Sequence, residues 1–329
     1  MASTDRDLRV MTLNVYFGTD LERAYNSKDL MELVTALGET WKEVVASDFP
    51  GRAARIAHAV ATAKPDILAL QEAARWSSGM PGEMRVEYDF LELILAALHR
   101  GGTPYIPVAI RKDLDQMAPM DPSGTFARIE DRHAVLMRAE SAGRLYPYDI
   151  TGGDFTTNFQ TTSPVTGTLT SPRSWIAVDW NLAGKKFRLI ECHVESLDHD
   201  VQLAQTRELI AGPASTTVMP LIFVGDLNSN ANRDPKIEDY SDAYPAMIEA
   251  GFNDAWASLN PDDLGNTCCH ARDLRNAVST LNRRIDVVLT RGEITPISAE
   301  LVLNDPSVRT SSGVWPTDHS GIIAKLRID

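Results

Sequence analysis

Polar side chains stand where predicted buried strands of this chain end. A polar group beside an apolar β-core is costly unless it is paired or binds something. The candidates follow or end a predicted strand, except Asp286, which lies within one, and Asp318-His319, which precede the last. They are carboxylates, amides and imidazoles: Asn14, Glu72, His193, Asp226, Asn228, Asp286, Asp318 and His319. If they converge at one end of the sheets, they form a single site.

The oxygen-bearing members of this set predict a site for a hard cation. Asn14, Glu72 and Asp318 offer oxygen ligands that suit Mg²⁺ or Mn²⁺ with several waters retained. Such an inventory is typical of phosphoryl transfer. Asp226 can then orient or deprotonate an attacking water, and Asn228 can donate its amide to a phosphoryl oxygen.

The two histidines supply donors where negative charge develops. His193 and His319 can give protons or hydrogen bonds to a reacting phosphoryl group. Asp286 is expected to hold the imidazole of His319 in one tautomer, as a carboxylate beside a histidine commonly does.

Hydrophobic periodicity predicts the elements that position these residues. Strands are predicted at 8–15, 66–72, 105–110, 133–138, 175–181, 187–194, 221–224, 284–289, 299–303 and 321–326, and helices at 48–64, 90–98, 201–211 and 243–250. Residues 111–129 are predicted as a polar loop. The threonine-rich stretch 151–170 is predicted as a long surface loop or a hairpin, and the sequence leaves open whether it is a lid or an inert insertion.

Strands outnumber helices about two to one and occur throughout the chain. This distribution favours a layered α/β sandwich over a doubly wound sheet. We find neither an internal repeat nor a linker, so residues 1–329 are predicted to form a single domain.

Composition narrows the classes of partner. With 45 acidic and 32 basic residues the formal charge is −13, which disfavours tracking the phosphates of long nucleic acid and favours a small-molecule or lipid-linked phosphoester. A local basic patch would keep nucleic acid possible.

The expected location is the cytoplasm. No stretch reaches the roughly 18 apolar residues of a membrane span, and the first ten residues lack an apolar run of signal-peptide type. Three cysteines cannot form a disulfide framework, which fits a reducing compartment. The oligomeric state stays open.

Six short blocks together resemble the signature of the endonuclease/exonuclease/phosphatase superfamily, in order and over nearly the whole chain. They are Thr12-Leu13-Asn14-Val15, Leu70-Gln71-Glu72, His193 at a strand end, Gly225-Asp226-Leu227-Asn228-Ser229, Arg284-Ile285-Asp286 and Thr317-Asp318-His319-Ser320. The resemblance implies a four-layer α/β sandwich of two mixed β-sheets flanked by helices, like deoxyribonuclease I. It also implies divalent-metal-dependent phosphoester hydrolysis by in-line attack of water.

Transferred to this sequence, the resemblance gives each residue a role. Glu72 becomes the principal metal ligand, with Asn14 and Asp318 nearby, and Asp226 the catalytic base. Asn228 contacts the phosphate, and Asp286 with His319 forms a phosphate-binding, charge-stabilising pair.

His193 indicates to which branch of the superfamily the sequence is most similar. The resemblance places it with phosphatases, sphingomyelinases and deoxyribonuclease I, because members that repair abasic DNA have a tyrosine-bearing strand here. A deoxyribonuclease I-type nuclease remains the alternative function, and a catalytically silent binding module on the same fold is a third.

Other residues have simpler interpretations. Cys268-Cys269-His270 lacks the two-to-four-residue spacer of zinc sites, so a buried thiol or a loop contact is expected. Arg75, Trp76, Trp175 and Trp315 could line a pocket, although core packing is the simpler prediction. His58 and His99 are expected on the surface or satisfied, whereas His133 and His199 flank candidate site strands and stay open.

Overall fold

The computed structural model of this chain describes residues 6–232 and 240–329. The strands, in chain order, are β1 (Asp7–Asn14), β2 (Ile67–Gln71), β3 (Arg75–Gly79), β4 (Arg85–Asp89), β5 (Tyr105–Pro119), β6 (Phe126–Arg138), β7 (Leu145–Asp154), β8 (Phe159–Ser163), β9 (Gly167–Ser171), β10 (Ser174–Leu182), β11 (Lys185–His193), β12 (Leu221–Asp226), β13 (Asn253–Asp254), β14 (Asp286–Arg291), β15 (Ile294–Val302) and β16 (Gly321–Ile328). The helices are α1 (Glu22–Tyr25), α2 (Leu30–Ala46), α3 (Phe49–Ala63), α4 (Phe90–Arg100), α5 (His199–Ala211), α6 (Ala243–Glu249) and α7 (Ala255–Leu259).

Two large mixed sheets make up the centre of the molecule. The first has the order β15-β16-β1-β2-β6-β3-β4, with β5 paired to β6, and the second has the order β13-β14-β12-β11-β10-β7. In each, one parallel pair lies among antiparallel neighbours, β1 with β2 and β11 with β12. A separate hairpin pairs β8 with β9.

The sheets pack face to face because their central strands are apolar on both sides. Val10, Ala69, Val178 and Val224 belong to the buried cluster between the sheets. Alternate side chains of the same strands point outward, where the first sheet packs on α3 and α4 and the second on α5 and α6. The molecule is therefore an α/β sandwich of four layers, helix, sheet, sheet and helix, as predicted.

Most predicted elements occur with boundaries shifted by a few residues, but the predicted polar loop at 111–129 is wrong. Strand β5 runs through to Pro119 and β6 begins at Phe126, so most of this segment is the outer half of a long hairpin. Its side chains are polar because they pair across the strands: Arg128 donates to Asp115 at 2.7 Å. Residues 151–170 contain the end of β7 and nearly all of the β8–β9 hairpin, so the hairpin alternative is confirmed.

Candidate active site

The register of the strands explains why the predicted residues meet. In the second sheet His193, Asp226 and Asp286 lie side by side on β11, β12 and β14, because His193 pairs with Asp226 and Asp226 with Asp286. In the first sheet Asn14 ends β1 opposite the end of β2, one residue before Glu72. The strand ends of both sheets therefore open on the same edge of the sandwich.

A cavity of about 320 Å³ lies at this edge. The predicted site residues that line it are Asn14, Glu72, His193, Asp226, Asn228, Asp318 and His319. Asp286 lies beneath the cavity wall, fully buried, and reaches the site through His319. The structure thus brings together all the residues that the sequence nominated.

Asn14 joins the two sheets across the site. Its Nδ2 donates to Glu72 Oε1 at 3.0 Å and to Asp226 Oδ2 at 3.2 Å. Its Oδ1 accepts from the Tyr16 N–H at 2.9 Å, so in this arrangement Asn14 orients two carboxylates with its amide. The Phe17 N–H donates to the other oxygen of Glu72 at 2.8 Å.

Arg52 fixes the loops that carry these groups. This fully buried guanidinium of α3 donates to the carbonyls of Val15, Tyr16 and Pro316, the last at 2.8 Å from Nε. The chain after β1 and the chain before Asp318 are therefore tied to one helix.

The backbone is in the left-handed region at two site residues. Glu72 has φ 56° and Asn228 has φ 48°. For a glutamate this conformation costs on the order of 1 kcal/mol, and such strain concentrates at functional sites. At Glu72 it turns the chain sharply at the end of β2.

Carboxylates crowd the side of the cavity formed by the first sheet. Burial raises the pKa of Glu72 to about 8, and the nearby charges of Asp131 and Asp318 add to the effect. Burial also raises the pKa of Asp318. A divalent cation among these oxygens would favour their ionised forms, so the donor set fits a hard metal ion.

Asp286 and His319 form a buried pair. Asp286 Oδ2 lies 2.8 Å from His319 Nδ1, and Nε2 of the same imidazole lies 3.9 Å from Asp226 Oδ2. Burial works against the imidazolium, yet Asp286 and Asp318 raise the pKa of His319 well above its ordinary value. These carboxylates therefore favour the imidazolium form of His319.

Asp226 and Asn228 occupy a turn that directs them to the cavity. The Asn228 N–H donates to Asp226 Oδ1 at 2.8 Å, and Asn228 Nδ2 donates to the Val194 carbonyl at 3.0 Å. One N–H of the Asn228 amide remains for another acceptor. Burial, with the charge of Asp286, raises the pKa of Asp226 to about 6, so this carboxylate is ionised near neutral pH and is basic enough to accept a proton.

Several cavity residues were not predicted as functional. Arg173, Asp131, Tyr25, Arg272 and Arg283 all line the cavity. Arg173 precedes β10, and Asp131 lies in the charged half of β6 between Glu130 and Arg132. Neither position carries a distinctive signal in the sequence.

The cysteine pair also lies in the cavity wall. The side chains of Cys268 and Cys269 are in contact, and Arg283 Nη2 lies 3.3 Å from Cys269 Sγ. His270 stacks on Trp315 instead. His270 therefore does not join the cysteines, whereas a ring nitrogen of His319 lies within 4.8 Å of both sulfur atoms.

The remaining histidines and tryptophans of the sequence analysis are either exposed or held by structural partners. His133 is buried between Glu191 and Ser174, whereas His58, His99 and His199 are exposed. Trp76 and Trp315 are buried, and each donates its indole N–H to a backbone carbonyl. Trp175 is partly buried against the core behind the second sheet, and Arg75 pairs with Asp89.

Fold and site together define a class, the four-layer α/β sandwich proteins with a polar site at the sheet edge. The family described as "Endonuclease/Exonuclease/phosphatase family" matches residues 11–319, and the chain belongs to this family. Members of it are hydrolases that act on phosphoesters. No curated protein matches the chain by sequence.

Solved structures share the fold at low sequence identity. A family protein from Bacteroides thetaiotaomicron is 19% identical with a TM-score of 0.59, over 98% of this chain and 95% of that one. A mannosyl-6-phosphatase from the same species is 17% identical with a TM-score of 0.56, over 97% and 99%. TDP2 from D. rerio, complexed with a single strand DNA product, is 17% identical with a TM-score of 0.56, over 98% and 100%. Among the described residues, no helix is both long and apolar enough to cross a membrane.

Proposed function

We propose that this chain is a Mg²⁺- or Mn²⁺-dependent hydrolase of a small-molecule or lipid-linked phosphoester, acting by in-line attack of water. The observation that carries the proposal is the convergence of the nominated side chains, from both sheets, on one cavity. Carboxylates, an amide and two imidazoles at that cavity are the groups that phosphoester hydrolysis requires.

Glu72 and Asp318 are the residues that would hold the metal, with Asn14 orienting Glu72. A bound Mg²⁺ would neutralise charge on a phosphoryl oxygen and draw a phosphate into this acidic cavity. The raised pKa values of both carboxyl groups support this assignment, because burial, and for Glu72 the charges of Asp131 and Asp318, disfavour the ionised forms that a bound cation would favour.

The remaining catalytic roles fall to side chains of the protein. Asp226 accepts the proton of the attacking water, since its carboxylate is buried, ionised and held by Asn14 and Asn228. His319, kept positive by Asp286, stabilises the charge that develops on the phosphoryl oxygens. Asn228 and His193 donate further hydrogen bonds to the same oxygens.

The surroundings of the cavity favour a small substrate. Asp20, Glu22 and Glu195 line it beside Tyr16 and Tyr25, with Asp20 paired to Arg272 and Glu195 near Arg173. The net charge of −13 disfavours a polyphosphate chain, and the carboxylate and phenolic oxygens offer acceptors to the hydroxyls of a compact alcohol.

The test is turnover of a panel containing a phosphomonoester, a phosphodiester, a choline-type phospholipid and single- and double-stranded DNA, each with Mg²⁺, Mn²⁺ or chelator. We expect metal-dependent hydrolysis of a small or lipid-linked ester, lost in Asp226→Asn and kept in Asp262→Asn, an exposed carboxylate used as the control. Hydrolysis that is equally fast in chelator would contradict the metal assignment. Cleavage of DNA alone would establish the nuclease alternative instead.

A further inference from the structure

The two histidines of the cavity face opposite charges. His319 Nδ1 meets the carboxylate of Asp286, whereas His193 Nδ1 lies 3.1 Å from Nη1 of Arg173. An imidazole against a carboxylate is held as a cation, but an imidazole against a guanidinium is held neutral. The two rings therefore face groups of opposite charge although both lie beside Asp226.

The contact with Arg173 decides which nitrogen of His193 carries the proton. A guanidinium has only donors, so Nδ1 of His193 must accept with its lone pair. The proton is then on Nε2, which lies 3.7 Å from Asp226 Oδ2 in the cavity wall. Burial, with the charge of Arg173, lowers the pKa of His193 well below its ordinary value, in agreement with this arrangement.

Arg173 is held firmly enough to act in this way. Its backbone N–H donates to Asn158 Oδ1 and its carbonyl accepts from the Phe155 N–H, both at 2.9 Å. Its Nε lies 3.8 Å from Glu195 Oε2, and its side chain is 12% exposed. Glu195, together with Asp113, Asp131 and Glu72, keeps the guanidinium charged despite its burial.

We propose that Arg173 is a positioning residue for the hydrolysis, which fixes His193 as the neutral Nε2–H tautomer. The proposal rests on the proposed function of the same cavity. His193 then gives a hydrogen bond to a phosphoryl oxygen and has no second proton for a leaving group.

The first test reads the tautomer directly in the free protein. Protein labelled with ¹⁵N-histidine is examined by long-range ¹H–¹⁵N correlation at pH 7, and His193 is assigned with the His193→Gln variant. We expect an unprotonated Nδ1 and a protonated Nε2. An imidazolium, or a proton on Nδ1, would overturn the proposal whether or not the protein hydrolyses any ester.

The second test uses kinetics on the substrate that the panel identifies. Loss of a hydrogen bond from a charged donor corresponds to a fall in kcat of about 10- to 100-fold. We expect this fall in Arg173→Met with KM changed less than about threefold, substantial recovery in Arg173→Lys, and no change in Arg85→Met, an exposed control. A purely structural role would lower unfolding stability without changing the His193 tautomer or separating kcat from KM.

The outcomes distinguish a failure of the role proposed for Arg173 from a failure of the proposed hydrolase function. If Arg173→Met fails to fold, the tautomer of the wild-type protein still decides the proposal. If no phosphoester is hydrolysed, the proposed function fails while the tautomer measurement keeps its meaning. Hydrolysis by a protein whose His193 is an imidazolium would overturn the role of Arg173 alone.

Discussion

Replacement of Asp286 by asparagine changes the charge that faces His319 while keeping the shape of the side chain. Asp286 is fully buried, and its Oδ2 lies 2.8 Å from Nδ1 of the imidazole. Its Oδ1 makes no hydrogen bond within the described residues, so the contact with His319 is its principal polar role. The substitution therefore tests whether His319 must be positive.

The size of the effect follows from that contact. A hydrogen bond between charged partners contributes about 1.5 to 3 kcal/mol, and the upper value applies to a buried pair. If this stabilisation acts on the transition state, Asp286→Asn lowers kcat by about 100-fold. The pKa of His319 falls in the same variant, because the carboxylate that raises it is gone.

The assay is steady-state hydrolysis of the identified substrate at saturating Mg²⁺, with urea unfolding of each variant alongside. Asp262→Asn serves as the control that removes a carboxylate from the surface. A folded Asp286→Asn protein with kcat within about threefold of wild type would refute the role given to the Asp286–His319 pair.

Three further predictions concern stability and metal binding. Burial alone would lower the pKa of His133, but the charges of Glu191 and Asp113 outweigh burial and raise this pKa from 6.5 to about 9. Protonated His133 therefore contributes about 3 kcal/mol to the free energy of unfolding below pH 6.5, and this contribution is lost as the pH rises through 9. Urea unfolding of wild type and of His133→Gln at pH 6 and pH 9.5 measures it. A difference between the two proteins that does not depend on pH would contradict the prediction. Glu72→Gln should weaken Mn²⁺ binding more than about tenfold in isothermal titration, and unchanged affinity would remove Glu72 from the metal site. Arg52→Met should lower the free energy of unfolding by about 3 kcal/mol or more, because it leaves buried carbonyls without donors, and a loss below 1 kcal/mol in urea unfolding would contradict that.

The sequence was informative wherever apolar strands end in a polar residue. Asp226 and His193 are readable because a strand that is buried on both faces has no other reason to end in a charged or imidazole group. Their meeting with Asn14 and Glu72 depends on both sheets opening on one edge, which the residues alone did not determine.

The sequence was less informative where strands are polar. The outer part of β5 carries alternating charges because it lies in an exposed hairpin and pairs with β6 through side chains such as Asp115 and Arg128. Periodicity of apolar residues cannot identify such a strand. Helix α2 was also missed, although Asp29 caps it by accepting from the Glu32 N–H.

Arg173 shows a further limit. Its position before β10 has no distinctive pattern, and its contact with His193 arises only when β10 lies beside β11. A residue that acts by positioning another is defined by tertiary neighbours, so spacing along the chain cannot reveal it.

The proposed function requires that the cavity catalyse attack of water on phosphorus and not on carbon. Hydrolysis in ¹⁸O-labelled water, with Mg²⁺ and the substrate found in the panel, tests it most directly by mass spectrometry of both products. We expect one ¹⁸O atom per turnover in the phosphate-bearing product and none in the alcohol, with no incorporation by Asp226→Asn. Label in the alcohol, or equal incorporation by the Asp226 variant, would contradict it.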